Sequence, residues 1–532
     1  MAFRGKEAIK ISQTINTMNY LSKNELTHLR NTPNLVVTDD GLFELPEKVL
    51  QFGTGVLLRG LPDYLIDKAN RQGIFNGRIV VVKSTDSGDS TAFDEQDGLY
   101  TLCVRGVELG QNIEENIICS AISRVLSAKS QWQGVLDCAK NPELQIIISN
   151  TTEVGIQLVQ DNISETPPTS FPGKLLAFLY ARFKAFGGTK ESGFVIVPTE
   201  LISDNGSKLE SIVIELAHRN GLESDFLDWL ESANHFCNSL VDRIVPGKPD
   251  NNVYQAITQE LGYKDKLLTI SEVFSLWAIE GDAHVKQILS FAQADEGVFI
   301  EPDINLFREL KLRLLNGTHT LSCGLAYLAG FDTVIGSMQN EDMAAYISNL
   351  MLAELGLAIP YPMDEKRPQR FGMQVIDRFR NPHLNHQWLS ITLNYSSKMK
   401  MRNIATLLNY YEIFACVPEY FSLGFAAYLY FMKPVAKESF VYFGERNGKP
   451  YPIQDQKAEY FYSKWQQNTP AQLVETVLQD KNLWDTDLTL LPGFAQSVTE
   501  NLENMLENGV KPTLEAFFLR NTVQTVEVNE ML

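Results

Sequence analysis

Cysteine is scarce in this chain, and the few cysteines do not have the spacing of a metal site or a disulfide framework. There are six cysteines in 532 residues, and none of them forms a CxxC pair. Zinc sites and small disulfide-rich folds both depend on clustered cysteines. We therefore predict reduced, buried thiols in a cytoplasmic protein, at Cys103, Cys119, Cys138, Cys237, Cys323 and Cys416.

Basic residues are fewer than acidic residues, and long apolar runs are lacking. Lysine and arginine together number 46, against 65 aspartates and glutamates, and the net charge is −19. Such a surface disfavours nucleic acid and anionic membranes as partners, although a local pocket can still bind a small anion. No apolar run approaches the roughly 18 residues that span a bilayer, and MAFRGKEAIK lacks the apolar core of a signal peptide. We expect a small-molecule partner.

The chain is long enough for two or three domains, and its pattern changes once along its length. Apolar strand-like runs alternate with helical segments up to about residue 290, and the pattern is almost wholly helical afterwards. We predict an α/β Rossmann-type N-terminal domain over residues 1–290, including an N-terminal extension, and a mainly α-helical C-terminal domain over residues 291–532. The helical domain would carry the substrate and catalytic groups. The role of residues 1–45 and the oligomeric state stay open.

A glycine turn follows the first buried strand that the sequence predicts, Lys48–Phe52. A helix is predicted over Leu61–Gln72. A strand, a GxG turn and a helix begin a dinucleotide-binding βαβ unit, because the glycines let a pyrophosphate approach the helix N-terminus. Leu58 stands where the third glycine of GxGxxG would be, so the bare pattern is more typical of an ordinary turn. The candidate cofactor-binding residues here are Phe52, Gly53, Thr54, Gly55, Val56, Leu57 and Arg59.

The second predicted strand, Arg78–Lys83, leaves the choice of cofactor open. An acidic residue at the end of this strand usually binds the adenosine ribose of NAD. Here Asp86 comes only after Lys83, Ser84 and Thr85. Lys83 could instead favour the 2′-phosphate of NADP, or point to solvent.

Two further predicted strands, Leu144–Ser149 and Phe194–Val197, are followed by polar residues at the edge where a Rossmann sheet binds its ligand. Thr152 and Glu153 follow the first strand, and Asp204-Asn205 follows the second within TELISDNG. Taken alone, Asp-Asn-Gly is typical of a turn with a helix cap.

The stretch Phe307–Gly330, FRELKLRLLNGTHTLSCGLAYLAG, predicts a helix with three polar residues on one broad face. In an α-helix, Lys311 and His319 would lie about 80° apart around the axis and about 12 Å apart along it, with Asn316 about 60° beyond His319. A lysine near an amide and an imidazole suits acid–base chemistry. A core helix with a few polar residues is the alternative.

The spacing Lys311-x4-Asn316-x2-His319, within KLRLLNGTH, resembles the signature of the mannitol dehydrogenase family of long-chain polyol dehydrogenases. The resemblance implies that Lys311 is the general acid/base, that Asn316 polarises the reacting oxygen and that His319 binds substrate hydroxyls. QFGTGVLLRG, SNTTEVGI and NSLVDRI resemble segments of the same family. The similarity runs from about residue 46 to about residue 515.

Further roles follow from the resemblance. Thr152 and Glu153 would lie close to the cofactor, Asn205 would supply a second amide to the reacting oxygen, and Asp242 and Lys398 would bind substrate. An Asp242–Arg243 ion pair is the competing interpretation of Asp242. The resemblance implies NAD as cofactor, with NADP not excluded, and no metal.

One departure from the family concerns the substrate. Ser390 stands where the family has an arginine, eight residues before Lys398. Arg380, Arg402, His386 and Lys400 remain as candidate cations, and such a cluster could bind a carboxylate, which a polyol lacks. RFRNPHLNHQWLSITLNYSSKMKMR and FGERNGKPYPIQD resemble the hexuronate branch of the family. A fructuronate reductase, a mannitol-type dehydrogenase of neutral polyols and a non-catalytic dinucleotide-binding regulator are the alternatives.

Overall fold

The structure is a computed structural model that describes residues 18–84, 90–151, 154–364 and 366–519. The chain divides into two compact units. The first comprises the chain up to Gly106 together with Asn112–Ile304, and the second comprises Val107–Gln111 and the chain from Asn305 onward.

Sixteen strands lie in the described residues, and all except the last three belong wholly or mainly to the first unit. They are β1 (Leu35–Val36), β2 (Glu47–Phe52), β3 (Arg78–Lys83), β4 (Tyr100–Glu108), β5 (Gln111–Cys119), β6 (Ile122–Ser127), β7 (Ile146–Ser149), β8 (Val195–Pro198), β9 (His235–Phe236), β10 (Ser239–Asp242), β11 (Thr269–Glu272), β12 (Leu276–Glu280), β13 (Val298–Glu301), β14 (Ala436–Glu438), β15 (Val441–Arg446) and β16 (Lys449–Pro452).

The first unit is built on a six-stranded sheet in which neighbouring strands are parallel, in the order β6-β3-β2-β7-β8-β9. Its central strands are buried on both faces, as expected when helices cover both sides of a parallel sheet. Val49 and Ile146 point into one apolar cluster, whereas Leu50 and Ile147 point into the other. This doubly covered parallel sheet confirms the Rossmann-type fold predicted from the sequence.

Helices cover the six-stranded sheet, and two smaller sheets complete the unit. The smaller sheets have the strand orders β1-β5-β4-β11 and β10-β12-β13. The α-helices of this unit are Leu26–Leu29, Val56–Gly60, Pro62–Arg71, Thr91–Glu95, Trp132–Cys138, Phe171–Phe186, Asn205–Arg219, Ser224–Ala233, Asn251–Leu261 and Ala283–Ile288.

The second unit is mainly helical, as predicted. Its α-helices in the described residues include Asn305–Leu310, Thr318–Leu328, Val334–Met338, Glu341–Asn349, Lys366–Phe379, Trp388–Ile391, Tyr395–Met399, Ala405–Phe414, Glu419–Phe431, Ala458–Gln467, Pro470–Leu478, Lys481–Trp484 and Phe494–Asn508, and residues 510–519 are helical as well. Three π-helical segments continue some of them, at Lys311–Gly317, Leu350–Glu354 and Lys400–Ile404.

The second unit also contains a small antiparallel sheet, β14-β15-β16, which the helical pattern of its sequence does not predict. Asn447 and Gly448 join β15 to β16 with φ values of 52° and 75°. An Asn-Gly pair with positive φ at both residues is the preferred two-residue hairpin turn. The signal was therefore present in RNGK, but it stood inside a helical pattern.

The cysteines are buried with one exception. Cys103, Cys119, Cys138, Cys237 and Cys323 are buried free thiols, whereas Cys416 is exposed. Cys416 therefore corrects the prediction of six buried thiols. It follows the end of the helix Ala405–Phe414, where Ala415 has a positive φ of 50°.

Candidate active site

The glycine turn after β2 has the geometry of a phosphate-binding turn. Gly53 has a φ of +126°, and a Cβ atom there would lie 2.8 Å from the carbonyl oxygen of Asn150. Any other residue at position 53 would therefore be strained and would collide with the backbone just after β7, the neighbouring strand of the sheet. A Cβ at Gly55 would meet nothing within 4 Å, so space lies open at the start of the helix Val56–Gly60. That helix N-terminus suits an anion.

Arg59 braces this turn from within the unit. Its guanidinium donates to the carbonyl oxygen of Thr54 at 2.8 Å and to the Thr269 hydroxyl at 3.2 Å. The side chain is buried, and that burial lowers the pKa of its guanidinium. Arg59 therefore fixes the loop through Thr54, and a direct contact with the cofactor stays a prediction.

Leu58 replaces the third glycine without disturbing the turn. Its side chain is fully buried, and one of its methyl groups packs against Gly53. Phe52 is likewise buried, at the end of β2. The apolar contact of Leu58 does the packing that the third glycine would otherwise permit.

The adenosine end of the predicted site is only partly described. Lys83 lies half-buried at the end of β3. Asp86, Thr152 and Glu153 lie outside the described residues, so their predicted roles stay predictions. Next to them, Thr151 donates through its amide and hydroxyl to the Glu200 carboxylate, at 2.8 Å and 3.0 Å.

Asn205 occupies a fully buried position after β8. Its amide nitrogen donates to the carbonyl oxygens of Pro198 and Glu200 at 3.0 Å and 3.1 Å, and its oxygen accepts from the Ser239 amide at 2.8 Å. These bonds join the end of β8 and the loop after it to the start of β10. To donate to a substrate oxygen, Asn205 would have to exchange one of them, and that role stays a prediction.

Asp242 lies half-buried at the last position of β10. The neighbouring guanidinium of Arg243 donates to the carbonyl oxygens of Gly60 and Glu272, each at or below 3.0 Å. Arg243 thus ties β10 to the end of the helix that follows the glycine turn, while a substrate contact of Asp242 stays a prediction.

The helix that carries Lys311 is confirmed, but its geometry differs from the predicted α-helix. It runs as an α-helix over Asn305–Leu310, as a π-helix over Lys311–Gly317, and again as an α-helix over Thr318–Leu328. The α-helical angles expected for Lys311, Asn316 and His319 therefore do not hold. In a π-helix residue i is bonded to residue i+5, so Lys311 and Asn316 lie one turn apart on the same face, and both are half-buried.

His319 is buried among aromatic rings. Its imidazole stacks on Phe379 with a centroid distance of 4.2 Å, and it meets the edges of His386 and Trp388. Burial, followed by the charges of His386, Arg378, Arg402 and Lys398, lowers the pKa of His319 well below its usual value. Its Nε2 atom finds no hydrogen-bond partner within the described ranges. A neutral imidazole with a free ring nitrogen is thus ready to bind a hydroxyl.

Four basic side chains lie close to His319, and we call Arg378, His386, Lys398 and Arg402 the basic cluster. Burial and the charge of Arg402 lower the pKa of Lys398. Partial burial, Arg378 and Lys398 lower the pKa of His386. The Lys398 ammonium donates to the carbonyl oxygen of Ile391 at 2.9 Å and the Arg402 Nη1 to the Thr320 hydroxyl at 3.0 Å, while the Arg402 Nε has no hydrogen-bond partner in the described part of the chain. The cluster is therefore suited to an anion.

The other predicted cations lie differently. Arg380 is exposed, 4.0 Å from the Asp377 carboxylate, and Lys400 pairs with Asp485 at 2.7 Å. The exposed Ser390 hydroxyl donates to the carbonyl oxygen of Gln387. Substrate binding by Arg380 stays a prediction.

Sequence reasoning missed Arg378, which is buried next to His319. A signal existed in the helix Lys366–Phe379, because Arg378 is three residues after the buried Val375 and seven after the buried Phe371. A charged residue on the apolar face of an amphipathic helix is a stronger candidate than its exposed neighbour Arg380.

Two absences hold for the described ranges. No group of three or more histidine, cysteine, aspartate or glutamate side chains is arranged to hold a metal ion. No helix has the length and apolar character to cross a membrane.

Comparison with known proteins matches both halves of the chain to one family. The mannitol dehydrogenase Rossmann domain matches residues 47–291, and the mannitol dehydrogenase C-terminal domain matches residues 303–506. An altronate oxidoreductase of Bacillus subtilis is 37% identical over 486 residues, which cover 90% of this chain and 97% of the relative. An altronate oxidoreductase of Halalkalibacterium halodurans is 36% identical over 481 residues, covering 88% and 93%.

Solved structures agree at the level of the fold. A D-sorbitol dehydrogenase in substrate-free form aligns over 93% of this chain and all of its own, with a TM-score of 0.72 and 19% identity. The Pseudomonas fluorescens mannitol 2-dehydrogenase, in ternary complex with NAD and D-mannitol, aligns over 94% of this chain and 99% of its own, with a TM-score of 0.59 and 23% identity.

Proposed function

The chain belongs to the mannitol dehydrogenase family, and we propose that it interconverts D-altronate and D-tagaturonate with NAD. The similarity to altronate oxidoreductases covers about nine-tenths of the chain. Family membership makes it an oxidoreductase acting on a CH–OH group. The substrate and the roles of individual residues are the proposal.

The basic cluster is the observation that carries the choice of substrate. Lys398 and Arg402 are half-buried, and among the described residues their hydrogen-bond partners are neutral carbonyl and hydroxyl oxygens, with the Arg402 Nε left without a partner. Leaving buried cations unpaired is costly, and a sugar acid brings a carboxylate that forms charge-assisted hydrogen bonds with them. A polyol such as mannitol has no group of that kind. The cluster therefore favours a hexuronate over a neutral sugar.

The chemistry assigned to the helix Asn305–Leu328 is proton transfer to the reacting oxygen. In the direction of reduction, the Lys311 ammonium gives a proton to the ketone oxygen as the carbonyl π bond breaks. The Asn316 amide donates a hydrogen bond to the same oxygen and stabilises the developing alkoxide. The neutral His319 binds a substrate hydroxyl, and Lys398 binds the carboxylate. These groups polarise the carbonyl in our mechanism without a metal.

Bound NADH would supply the hydride to the carbonyl carbon and leave as NAD. The turn after β2 fits a dinucleotide, because Gly53 permits the tight backbone and Gly55 leaves open space at a helix N-terminus. Residues 52–57, with Arg59 behind Thr54, would hold the pyrophosphate.

The test is NADH oxidation by the purified protein, followed optically, with tagaturonate, fructuronate and fructose in parallel and repeated with NADPH. Turnover of tagaturonate far above the other two supports the proposal. Turnover of fructuronate alone would make the protein a fructuronate reductase, and turnover of fructose would make it a mannitol-type polyol dehydrogenase. NADH binding without turnover of any of the three would contradict the proposal and favour a non-catalytic regulator.

A further inference from the structure

Two of the three π-helical segments lie against each other and exchange hydrogen bonds. One is Lys311–Gly317 and the other is Lys400–Ile404, more than 80 residues further along the chain. A π-helical segment interrupts the regular i→i+4 ladder of an α-helix, and hydrogen bonds from other groups to its backbone carbonyls stabilise it. In this contact the groups are the side chains of Arg313, Arg402 and Asn403.

Arg313, in the first segment, satisfies the backbone of the second. Its Nη1 donates to the carbonyl oxygens of Met401 and Arg402 at 2.9 Å and 2.8 Å. Its Nε donates to the Glu309 carboxylate at 2.9 Å. Only 7% of Arg313 is exposed, so these contacts form in a protected environment.

Two side chains of the second segment donate hydrogen bonds to the backbone of the first. Asn403 donates from Nδ2 to the carbonyl oxygen of Gly317 at 3.2 Å, and Arg402 donates from Nη1 to that of Asn316 at 3.4 Å. A Cβ at Gly317 would lie 2.9 Å from the Asn403 side-chain oxygen. The glycine therefore permits the close approach of the two segments.

We propose that Arg313 and Asn403 are positioning residues that fasten Lys311–Gly317 to Lys400–Ile404. Asn403 donates to the backbone of the first segment and Arg313 anchors that segment to the backbone of the second, and the contact keeps Lys311 and Asn316 one turn apart on one face. Neither residue needs to touch substrate. The contact depends on them because their partners are the backbone carbonyls of the opposite segment. The catalytic part of this inference rests on the proposed roles of Lys311 and Asn316.

The test compares Arg313→Met with two controls. Glu309→Gln removes the ion pair but leaves the two bonds from Arg313 to the backbone. Arg370→Met removes an exposed arginine from the neighbouring helix Lys366–Phe379. We measure kcat and KM for tagaturonate, and the primary isotope effect with NADH deuterated at the transferred position.

We expect Arg313→Met to lower kcat about 10- to 100-fold, the scale of a misplaced reacting group. KM should change much less, and the isotope effect should rise because the chemical step becomes slower. Arg313→Lys, which retains a charge and one donor, should recover part of the loss, and both controls should behave as the wild-type protein. A folded Arg313→Met protein with wild-type kcat and isotope effect would overturn the proposal, even if its melting temperature were lower.

Two further experiments apply if Arg313→Met does not fold or if the wild-type protein turns over no hexuronate. If Arg313→Met does not fold, Asn403→Ala and Gly317→Ala probe the other hydrogen bond of the contact, from Asn403 to the Gly317 carbonyl oxygen. Both variants should lower kcat in the same way. If the wild-type protein turns over no hexuronate, the proposed function fails, and hydrogen exchange then tests the contact alone. Arg313→Met should speed amide exchange in residues 311–317 and 400–404, and unchanged exchange in both would refute it.

Discussion

His319 illustrates how neighbours define the chemistry of one side chain. Burial and four basic neighbours lower its pKa well below the usual value, so the ring is neutral at neutral pH. The unfolded chain takes up a proton at this residue below about pH 6.5, whereas the folded chain does not. The contribution of His319 to stability is therefore lost as the pH falls below that value.

Lys311 is the residue on which the proposed mechanism depends most. Replacing it with alanine should lower turnover by at least ~10²-fold, the scale of general-acid catalysis, while NADH binding stays intact. Steady-state assays and NADH titration measure the two effects, and added primary amines should restore part of the activity. Lys366→Ala, at an exposed site in the same unit, is the control. Near-normal turnover of Lys311→Ala would end the assignment of this residue.

Lys398 and Lys400 form a matched pair for testing carboxylate binding. Lys398 belongs to the basic cluster, whereas the ammonium of Lys400 pairs with Asp485. Lys398→Met should raise KM for tagaturonate by about 10-fold or more, because a charge-assisted hydrogen bond contributes about 1.5–3 kcal/mol. Lys400→Met should leave KM unchanged. Equal effects of the two substitutions would argue against a specific carboxylate contact.

For single residues, the sequence indicates the residue type at a site better than the direction and hydrogen-bond partners of its side chain. Arg59 was expected at the cofactor, yet its guanidinium lies behind Thr54 inside the unit. The motif predicts Asn205 at the reacting oxygen, and that role stays a prediction, while the structure shows its amide bonded to Pro198 at the end of β8 and to Ser239 at the start of β10. A motif indicates which residue stands at a position, but the direction of a side chain depends on partners that are distant in sequence.

Among the elements, the strands around the cofactor turn were the most predictable. Lys48–Phe52 was expected and Glu47–Phe52 is observed, and Arg78–Lys83 agrees at both ends. Runs of β-branched and other apolar residues buried on both faces are a strong signal for parallel strands. The π-helical segments Lys311–Gly317 and Lys400–Ile404 could not be predicted, because the side chains that bond across them, those of Arg313, Arg402 and Asn403, meet only in the folded unit.

The strand–turn–helix element contains a buried acid with a testable pH dependence. Asp63, in the helix Pro62–Arg71, is fully buried, and burial raises its pKa to about 7 despite Gln51 and Arg59. Between about pH 4 and pH 7 the folded state keeps a proton that the unfolded state has lost. The stability that Asp63 contributes is therefore present at low pH and is lost as the pH rises through 7.

Asp63→Asn should remove this dependence while keeping the size of the side chain. The slope that it removes is about 1.4 kcal/mol per pH unit at most. Relative to the wild-type protein, the variant should be more stable at pH 8 than at pH 5, as measured by urea unfolding at both values. Asp137→Asn, at an exposed position, is the control. A constant difference between variant and wild type at the two pH values would contradict a buried, protonated Asp63.

In the whole molecule, cofactor binding is linked to folding, because a ligand that binds the folded state stabilises it. A ligand at 100 times its Kd stabilises the folded state by about 2.7 kcal/mol. NADH should therefore raise the unfolding temperature, and NADPH should raise it less. Differential scanning fluorimetry with increasing concentrations of each nucleotide measures both.

The glycine turn supplies the control for that experiment. Gly53→Ala places a Cβ 2.8 Å from the Asn150 carbonyl oxygen at a φ of +126°, and it should abolish the NADH shift as well as lower the unfolding temperature. A shift of wild-type size in this variant would place the nucleotide elsewhere.

The exposure of Cys416 has a practical consequence for spectroscopy. The other five thiols are buried, and burial raises the pKa of Cys103, Cys237 and Cys323 to about 12. Maleimide dyes react with accessible thiolates, so at neutral pH they should attach to Cys416 alone in the native protein. The chain thus offers a single natural attachment point for a fluorophore or a spin label in the second unit, with no engineered cysteine-free background.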